Sequence, residues 1–151
     1  MRGLSVGEGR GTRQESDARD ATSMTGDDPR TPNRRAGDAA ESVVAARLES
    51  AGWTILARNV HVARYELDLV AVDPGPPSML VVVEVRWRAR RDFGLAEETV
   101  DHRKRMRVRH AAYGLLDRGG LPPLPLRFDL IVVEPGERGG EPRVRHHRAA
   151  F

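Results

Sequence analysis

Residues 79–87 carry the longest uninterrupted apolar run of the chain, from Met79 to Val83. Their composition predicts a β-strand, and an apolar strand without polar alternation is typical of a strand covered on both faces. The run is far shorter than the roughly 20 residues that a membrane-spanning helix needs. We therefore expect an α/β protein in which helices cover both faces of a sheet.

The other patterns along the chain predict two helices and four further strands. Apolar residues recur at helical spacing in residues 38–51 and again between Asp101, a good N-cap, and about Leu116. The predicted strands are Trp53–Ala57, Val60–Val72, Met79–Trp87, Leu126–Glu134 and Arg143–His147. The predicted fold class is α/β, with a mixed β-sheet of about five strands flanked by helices in the order αβββαββ.

Residues 1–33 contain mainly small, polar and charged residues without an apolar period, which predicts a disordered N-terminal tail. Residues 34–151 then form a single predicted domain. The chain has 151 residues and no cysteine, which excludes disulfides, thiolate metal ligands and cysteine nucleophiles. No apolar signal-peptide core is visible, so we expect a cytoplasmic protein with no membrane partner.

Two carboxylates interrupt the apolar strands. Asp68 lies between two leucines, and Glu84 directly follows a run of valines. A carboxylate in a covered strand is costly unless it is paired, hydrogen-bonded or bound to metal. If the two strands pair, Asp68 and Glu84 converge on a site suited to Mg²⁺, which prefers oxygen ligands. The alternative is a structural ion pair of Glu84 with Arg86 or Arg64.

A third carboxylate, Glu41, lies on the first predicted helix next to apolar positions. It could point into the same site. The alternative is an ordinary exposed helix residue, because glutamate is seldom buried.

Several motifs together, in this order and spacing, resemble the YraN-type family, an uncharacterised bacterial family of the restriction-endonuclease-like PD-(D/E)xK superfamily. The resemblance covers residues 35–151 and not the tail. The motifs that carry it are Ala39-Ala40-Glu41, Asn59, Glu66-Leu67-Asp68-Leu69-Val70, Val82-Val83-Glu84-Val85-Arg86, Phe93-Gly94, Asp101, Lys104, Arg127-Phe128-Asp129 and Ala149-Ala150-Phe151.

The resemblance implies a restriction-endonuclease-like core with a metal-dependent site for phosphodiester hydrolysis. Glu41, Asp68 and Glu84 would bind Mg²⁺ or Mn²⁺, and the backbone carbonyl of Val85 would add a ligand. Arg86 takes the place of the superfamily's active-site lysine and completes the implied catalytic set of Glu41, Asp68, Glu84 and Arg86. The implied activity is that of a nucleic-acid-binding endonuclease.

Two positions depart from the family pattern. Tyr65 stands where the family usually has glycine, and it could stack against a substrate or simply pack. Arg86 can bind phosphate, but a guanidinium stays protonated and cannot act as a general base. The alternative function is therefore a non-catalytic nucleic-acid-binding or assembly module that keeps the nuclease fold. A protein–protein adaptor with structural buried charges is a third hypothesis.

The basic residues of the chain suggest a phosphate-binding surface. Of its 25 basic residues, only Lys104 is a lysine, and the other 24 are arginines. We expect nucleic acid, DNA rather than RNA, to contact Arg88, Arg103, Lys104 and Arg107, with Trp87 available to stack on a base. The alternative is a solvated basic face with Trp87 in the core. A homodimer is also left open.

Two further groups of polar residues are interpreted as structural. Asp129 is expected to pair with Arg127 rather than to take part in the chemistry. His146 and His147 point to opposite faces of one strand, so they cannot form a metal site together and are expected at the surface.

Overall fold

The structure, a computed structural model, describes residues 31–89 and 101–151. The elements follow the predicted order αβββαββ and confirm the α/β class. They are α1 (Pro32–Ser50), β1 (Thr54–Val62), β2 (Tyr65–Asp73), β3 (Met79–Trp87), α2 (His102–Asp117), β4 (Leu126–Glu134) and β5 (Arg143–His147), with one turn of 3₁₀ helix at Glu137–Gly139.

The five strands form one open mixed sheet in the order β1-β2-β3-β4-β5. The β3–β4 pair is parallel, and the three other pairs are antiparallel. Helix α2 connects the two parallel strands, as the crossover between parallel strands requires. In the part of the chain that the structure describes, no helix is long and apolar enough to span a membrane.

The apolar run of β3 is covered on both faces, as predicted. Val81 and Val83 pack under α1 with Val44 and Leu48 in one core cluster. Leu80 and Val82 face the other way, into a second cluster that contains Val108, Ala111 and Phe128. β3 is the central strand of the five, and burial of its side chains on both faces fixes its register.

The first helix begins at Pro32, six residues before its predicted start at residue 38. The hydroxyl of Thr31 accepts a hydrogen bond from the Arg34 N–H at 3.4 Å, and Pro32 occupies the first helical position. This cap and the proline start a polar first turn that the apolar period does not reveal. Residues 32 and 33 of the predicted tail are therefore helical, and residues 1–30 lie outside the described residues.

The predicted bounds of two strands, Trp53–Ala57 and Val60–Val72, were wrong. The structure instead forms a hairpin of β1 and β2 that reverses at Ala63 and Arg64, with Val62 paired to Tyr65. Ala63 has a φ of 53°, a value more usual for glycine or asparagine. The turn therefore has no turn residues that would mark it in the sequence.

Asp129 is fully buried in β4 and serves a structural role. It accepts hydrogen bonds from Arg127 at 2.8 Å, from the backbone N–H of Ala149 at 3.0 Å, and contacts His146 Nε2 at 2.8 Å. Burial alone would raise its pKa, but the bonds from His146, Arg127 and Ala149 lower the pKa to about 2. Asp129 is paired with Arg127, as expected, and it also engages His146.

Candidate metal and nucleic-acid site

Asp68 lies where β2 and β3 stop pairing through their backbones. The last regular pair of their ladder is Leu69 with Val83. Beyond it, the Asp68 carboxylate accepts the backbone N–H of Val85 at 2.7 Å. Side-chain alternation also breaks here, because Leu67 packs on the α2 side of the sheet and Leu69 on the α1 side. The carboxylate of Asp68 thus replaces a backbone acceptor between two separating strands.

Glu84 is one of the few buried acids among the described residues, with 3% of its surface exposed. It forms an ion pair with Lys104 Nζ, which comes from the first turn of α2. Arg86 NH2 lies 3.4 Å from the same carboxylate oxygen. The pairing of Glu84 with Arg86 is present as the structural alternative predicted. Arg64 instead donates a hydrogen bond to the Tyr65 hydroxyl.

Lys104 is held at this place by the start of α2. Asp101 caps the helix as predicted, with its carboxylate accepting the backbone N–H of Lys104 at 2.7 Å. The side chain of Lys104 is about one-third exposed and contacts Glu84, so the interpretation of Lys104 as a solvated helix residue was wrong. Tertiary packing of α2, which the sequence pattern does not report, produces this contact.

The charge of Asp68 is strongly disfavoured in this environment. Burial is the largest cause, and the negative charge of Glu84 adds to it. The Val85 N–H and Lys104 act in the opposite direction, and the result is an Asp68 pKa of about 7. A cation next to Asp68 and Glu84 would therefore relieve an electrostatic cost already present in the fold.

Glu41 lies on α1 at the rim of a cavity of about 370 Å³ that Asn59 and Glu66 also line. Glu41 is half-buried, so its interpretation as an ordinary exposed helix residue was wrong. Burial raises the pKa of Glu41, the side chain of Asn59 lowers it, and Asp38, Glu66 and Glu84 raise it further. Asn59 has a φ of 48° inside β1 and is the residue whose contact with Glu41 was not foreseen.

The donor chemistry of Asp68 and Glu84 suits a hard divalent cation. Among residues 31–89 and 101–151, no three His, Cys, Asp or Glu side chains lie close enough together to hold a metal ion. Mg²⁺, however, is commonly bound by only one or two carboxylates, with waters and substrate phosphates as the other ligands. The pair fits that pattern, and Glu41 lies further out.

Arg86 leaves one donor unused. Its Nε is buried and has no hydrogen-bond partner among the described residues. A buried donor without a partner is costly, and such groups are often completed by a ligand or an ion. Because its NH2 faces Glu84, this donor lies beside the acid pair.

The basic residues predicted to contact nucleic acid fall into two groups. Arg103 and Arg107 are exposed on α2, the helix that carries Lys104. Arg88 is half-buried just after β3, and its backbone N–H binds the Val133 carbonyl. Trp87 packs against the core cluster under α1, which agrees with the alternative prediction that Trp87 lies in the core. The predicted motif Phe93-Gly94 lies outside the described residues.

The sequence profile of the uncharacterised protein family UPF0102 matches residues 40–133. The chain belongs to UPF0102. This assignment confirms the YraN-type resemblance. The matched residues include Glu41, Asp68, Glu84 and Lys104.

Several UPF0102 proteins from bacteria are close in sequence. One from Symbiobacterium thermophilum is 42% identical over 107 residues, covering 71% of this chain and 88% of that protein. One from Moorella thermoacetica is 39% identical, covering 66% of this chain and 81% of that protein. One from Neisseria meningitidis is 34% identical, covering 68% and 86%.

A solved structure of Pyrococcus furiosus SfsA in complex with Ca²⁺ shows a distant likeness. It is 14% identical with a TM-score of 0.31, and the match covers 76% of this chain and 63% of that chain. A likeness this distant supports no inference about this UPF0102 protein.

Proposed function

We propose that this UPF0102 protein binds nucleic acid and cleaves its phosphodiester bonds with the help of Mg²⁺ or Mn²⁺. The observation that carries the proposal is the pair of Asp68 and Glu84 at the separating ends of two central strands. Burial, with the negative charge of Glu84 added to it, raises the pKa of Asp68 to about 7, and a bound cation would offset this cost.

Asp68 and Glu84 would hold the cation, and the Val85 carbonyl would be a further ligand. The N–H and C=O of one strand residue point to the same edge, so the Val85 carbonyl faces the side from which Asp68 approaches. Glu41 would act from the rim, through a water or after a small movement of α1. The cation would supply a water of lowered pKa and positive charge for the phosphate.

Lys104 and Arg86 provide positive charge on the protein side. Arg86 carries donors suited to phosphate oxygens but cannot serve as a base. Lys104 brings the single lysine amine of the chain to Glu84 from a different element. We assign to Lys104 the contact with the scissile phosphate or with the attacking water, because Arg86 cannot act as a base.

The exposed arginines on α2 extend this site into a phosphate-binding surface. Arg103 and Arg107 are separated by one helical turn, so both lie on the same side of α2. With Arg88, they would neutralise phosphates on either side of the cleaved bond. Nucleic-acid binding should then weaken steeply with salt.

A nicking assay tests the enzymatic proposal. Branched, single-stranded and duplex DNA are incubated with the full chain and Mn²⁺ or Mg²⁺, and cleavage should require both the metal and the acid pair. Glu84→Gln and Asp68→Asn should abolish it. Glu134→Gln is the matched control, because Glu134 is a buried acid that pairs with Arg145 outside the site. Cleavage that survives Glu84→Gln would overturn the proposal.

A non-catalytic nucleic-acid-binding module is the second candidate. It is favoured by the cationic side chains of Lys104 and Arg86, which already neutralise Glu84 without a metal. Binding that is indifferent to metal and survives Asp68→Asn, without cleavage of any substrate, would identify this second function.

A further inference from the structure

The outward face of α2 carries aromatic and apolar side chains among its arginines. Met106 and Tyr113 are 54% and 52% exposed, although both are large. With His110 they are spaced by four and three residues, which places all three on one side of the helix. Arg103 and Arg107 flank them. We name these five residues the α2 row.

Tyr65 extends the α2 row onto the sheet. Its ring lies 6.1 Å from the ring of His110, edge to face. The guanidinium of Arg64 lies 5.3 Å from the ring centre, and Arg64 Nε donates a hydrogen bond to the Tyr65 hydroxyl at 3.2 Å. The neighbouring acid, Glu66, faces His61 at 3.9 Å. Arg64 and His110 thus hold the ring of Tyr65 in place before any ligand binds.

The α2 row lies within a few nucleotides of the proposed cleavage site. His110 follows Lys104 by six residues, or about 9 Å along the helix axis. Tyr65 precedes Asp68 by three residues, or about 10 Å along β2. Either distance is about three base steps at ~3.4 Å each. A strand whose phosphate lies beside Asp68 therefore spans the length of β2 to Tyr65 within about three nucleotides.

Alternating cations and exposed rings match the chemistry of an unpaired strand. Arginines bind successive phosphates, while aromatic rings and guanidinium planes stack on bases. Bases inside a duplex are already stacked on each other and cannot reach such rings. Arginines alone provide an electrostatic surface, whereas the exposed Met106 and Tyr113 add apolar area that can contact bases.

We propose that the α2 row together with Tyr65 binds an unpaired stretch of nucleic acid next to the cleavage site. This inference rests on the proposed function and names its substrate class, a strand with splayed-out bases such as a fork, flap or overhang. The bases stack on Tyr65 and Tyr113, and Arg64, Arg103 and Arg107 contact the phosphates. Fully paired duplex lacks the stacking contacts and binds through phosphates only.

Binding without divalent metal tests the inference separately from cleavage. The full chain is titrated into a labelled fork and into a fully paired duplex of equal length, and the two affinities are compared. Tyr65→Leu keeps an apolar side chain for packing, and Tyr113→Ala changes an exposed residue, so both variants are expected to fold. Each should weaken fork binding roughly fivefold or more, the lower end for one stacked base, with little change for duplex.

Matched controls separate stacking from general loss of surface. Tyr65→Phe keeps the ring and should retain most of the fork preference. Leu56→Gln replaces another exposed large apolar side chain, which lies on β1 and outside the α2 row, and should change neither the fork affinity nor the duplex affinity. A 2-aminopurine base placed in the unpaired arm should lose fluorescence on binding the unmodified protein and keep it with Tyr65→Leu.

The outcomes distinguish this inference from the proposed function. If both tyrosine variants bind the fork as well as the unmodified protein, or lose fork and duplex affinity equally, the stacking inference is wrong while cleavage can stand. If the protein prefers the fork but cleaves nothing, the inference stands and the nuclease proposal fails. If it binds neither fork nor duplex, both are overturned.

Discussion

Lys104, on the first turn of α2, places its ammonium against the buried carboxylate of Glu84 on β3. The contact joins the chain's one lysine to an acid that is almost without solvent exposure. Because α2 packs on one face of the sheet and carries Lys104 at its start, helix and site are mechanically linked. A change in either residue should therefore be visible in both stability and metal binding.

Replacing Lys104 with methionine should lower the free energy of unfolding by about 1 to 3 kcal/mol, because a buried carboxylate loses its main partner. Lys104→Arg keeps the charge and should cost less. Urea unfolding without divalent metal measures both. If the methionine variant were as stable as the unmodified protein, the ion pair would contribute nothing and Arg86 alone would neutralise Glu84.

Asp68 should make the protein less stable as the pH rises from about 4 to about 7. Its pKa is raised from 3.8 in the unfolded chain to about 7 in the fold. Between these values the folded state holds a proton that the unfolded state has released, so stability falls by up to about 1.4 kcal/mol per pH unit. Unfolding of Asp68→Asn measured over this range should lack that contribution, whereas an unchanged pH profile would contradict the raised pKa.

Added Mg²⁺ should raise the melting temperature more at about pH 8 than at about pH 5. At the higher pH Asp68 is ionised and can bind the cation, and ligand binding to the folded state stabilises it. At the lower pH a proton competes for the same oxygens. Thermal melts at both pH values measure the difference, with Asp68→Asn as the control. A shift that is equal at both pH values, or that Asp68→Asn retains, would argue against metal binding at this carboxylate.

Arg86→Lys should increase metal-dependent cleavage. A lysine can release its proton in a buried site, whereas the guanidinium cannot, and the position lies beside Glu84. The rate of nicking with Mn²⁺ measures the effect, with Arg145→Lys as a control at another arginine–glutamate pair. Absence of cleavage in both the unmodified protein and Arg86→Lys, across several substrates, would favour the non-catalytic module.

Strong apolar patterns made much of the fold predictable. The bounds of β3, β4 and β5 agree with prediction because proline- and glycine-rich segments precede all three strands and apolar runs mark β3 and β4. The β1–β2 hairpin escaped prediction because its turn at Ala63 and Arg64 has no glycine or asparagine. Positive φ at Ala63 is imposed by pairing of the flanking strands, and pairing is a tertiary property.

The site was predictable to the extent that it depends on charge within strands. Asp68 and Glu84 stood out because burying a carboxylate in an apolar strand is costly unless the charge is paired, hydrogen-bonded or bound to metal. The contact between Lys104 and Glu84, and the support that Asn59 gives Glu41, depend on how a helix docks on the sheet. Sequence periodicity gives the face of a helix but not the residue it meets across the interface.

The network around Asp129 has a consequence for how the chain is made. Asp129 lies in the parallel strand β4, but His146 and the Ala149 N–H that stabilise its charge are synthesised 17 and 20 residues later. A growing chain that has produced β4 alone would have to bury a carboxylate without these two partners. Full stabilisation of the Asp129 charge therefore comes only after His146 and Ala149 have docked beside β4, so the C-terminal segment completes this part of the fold.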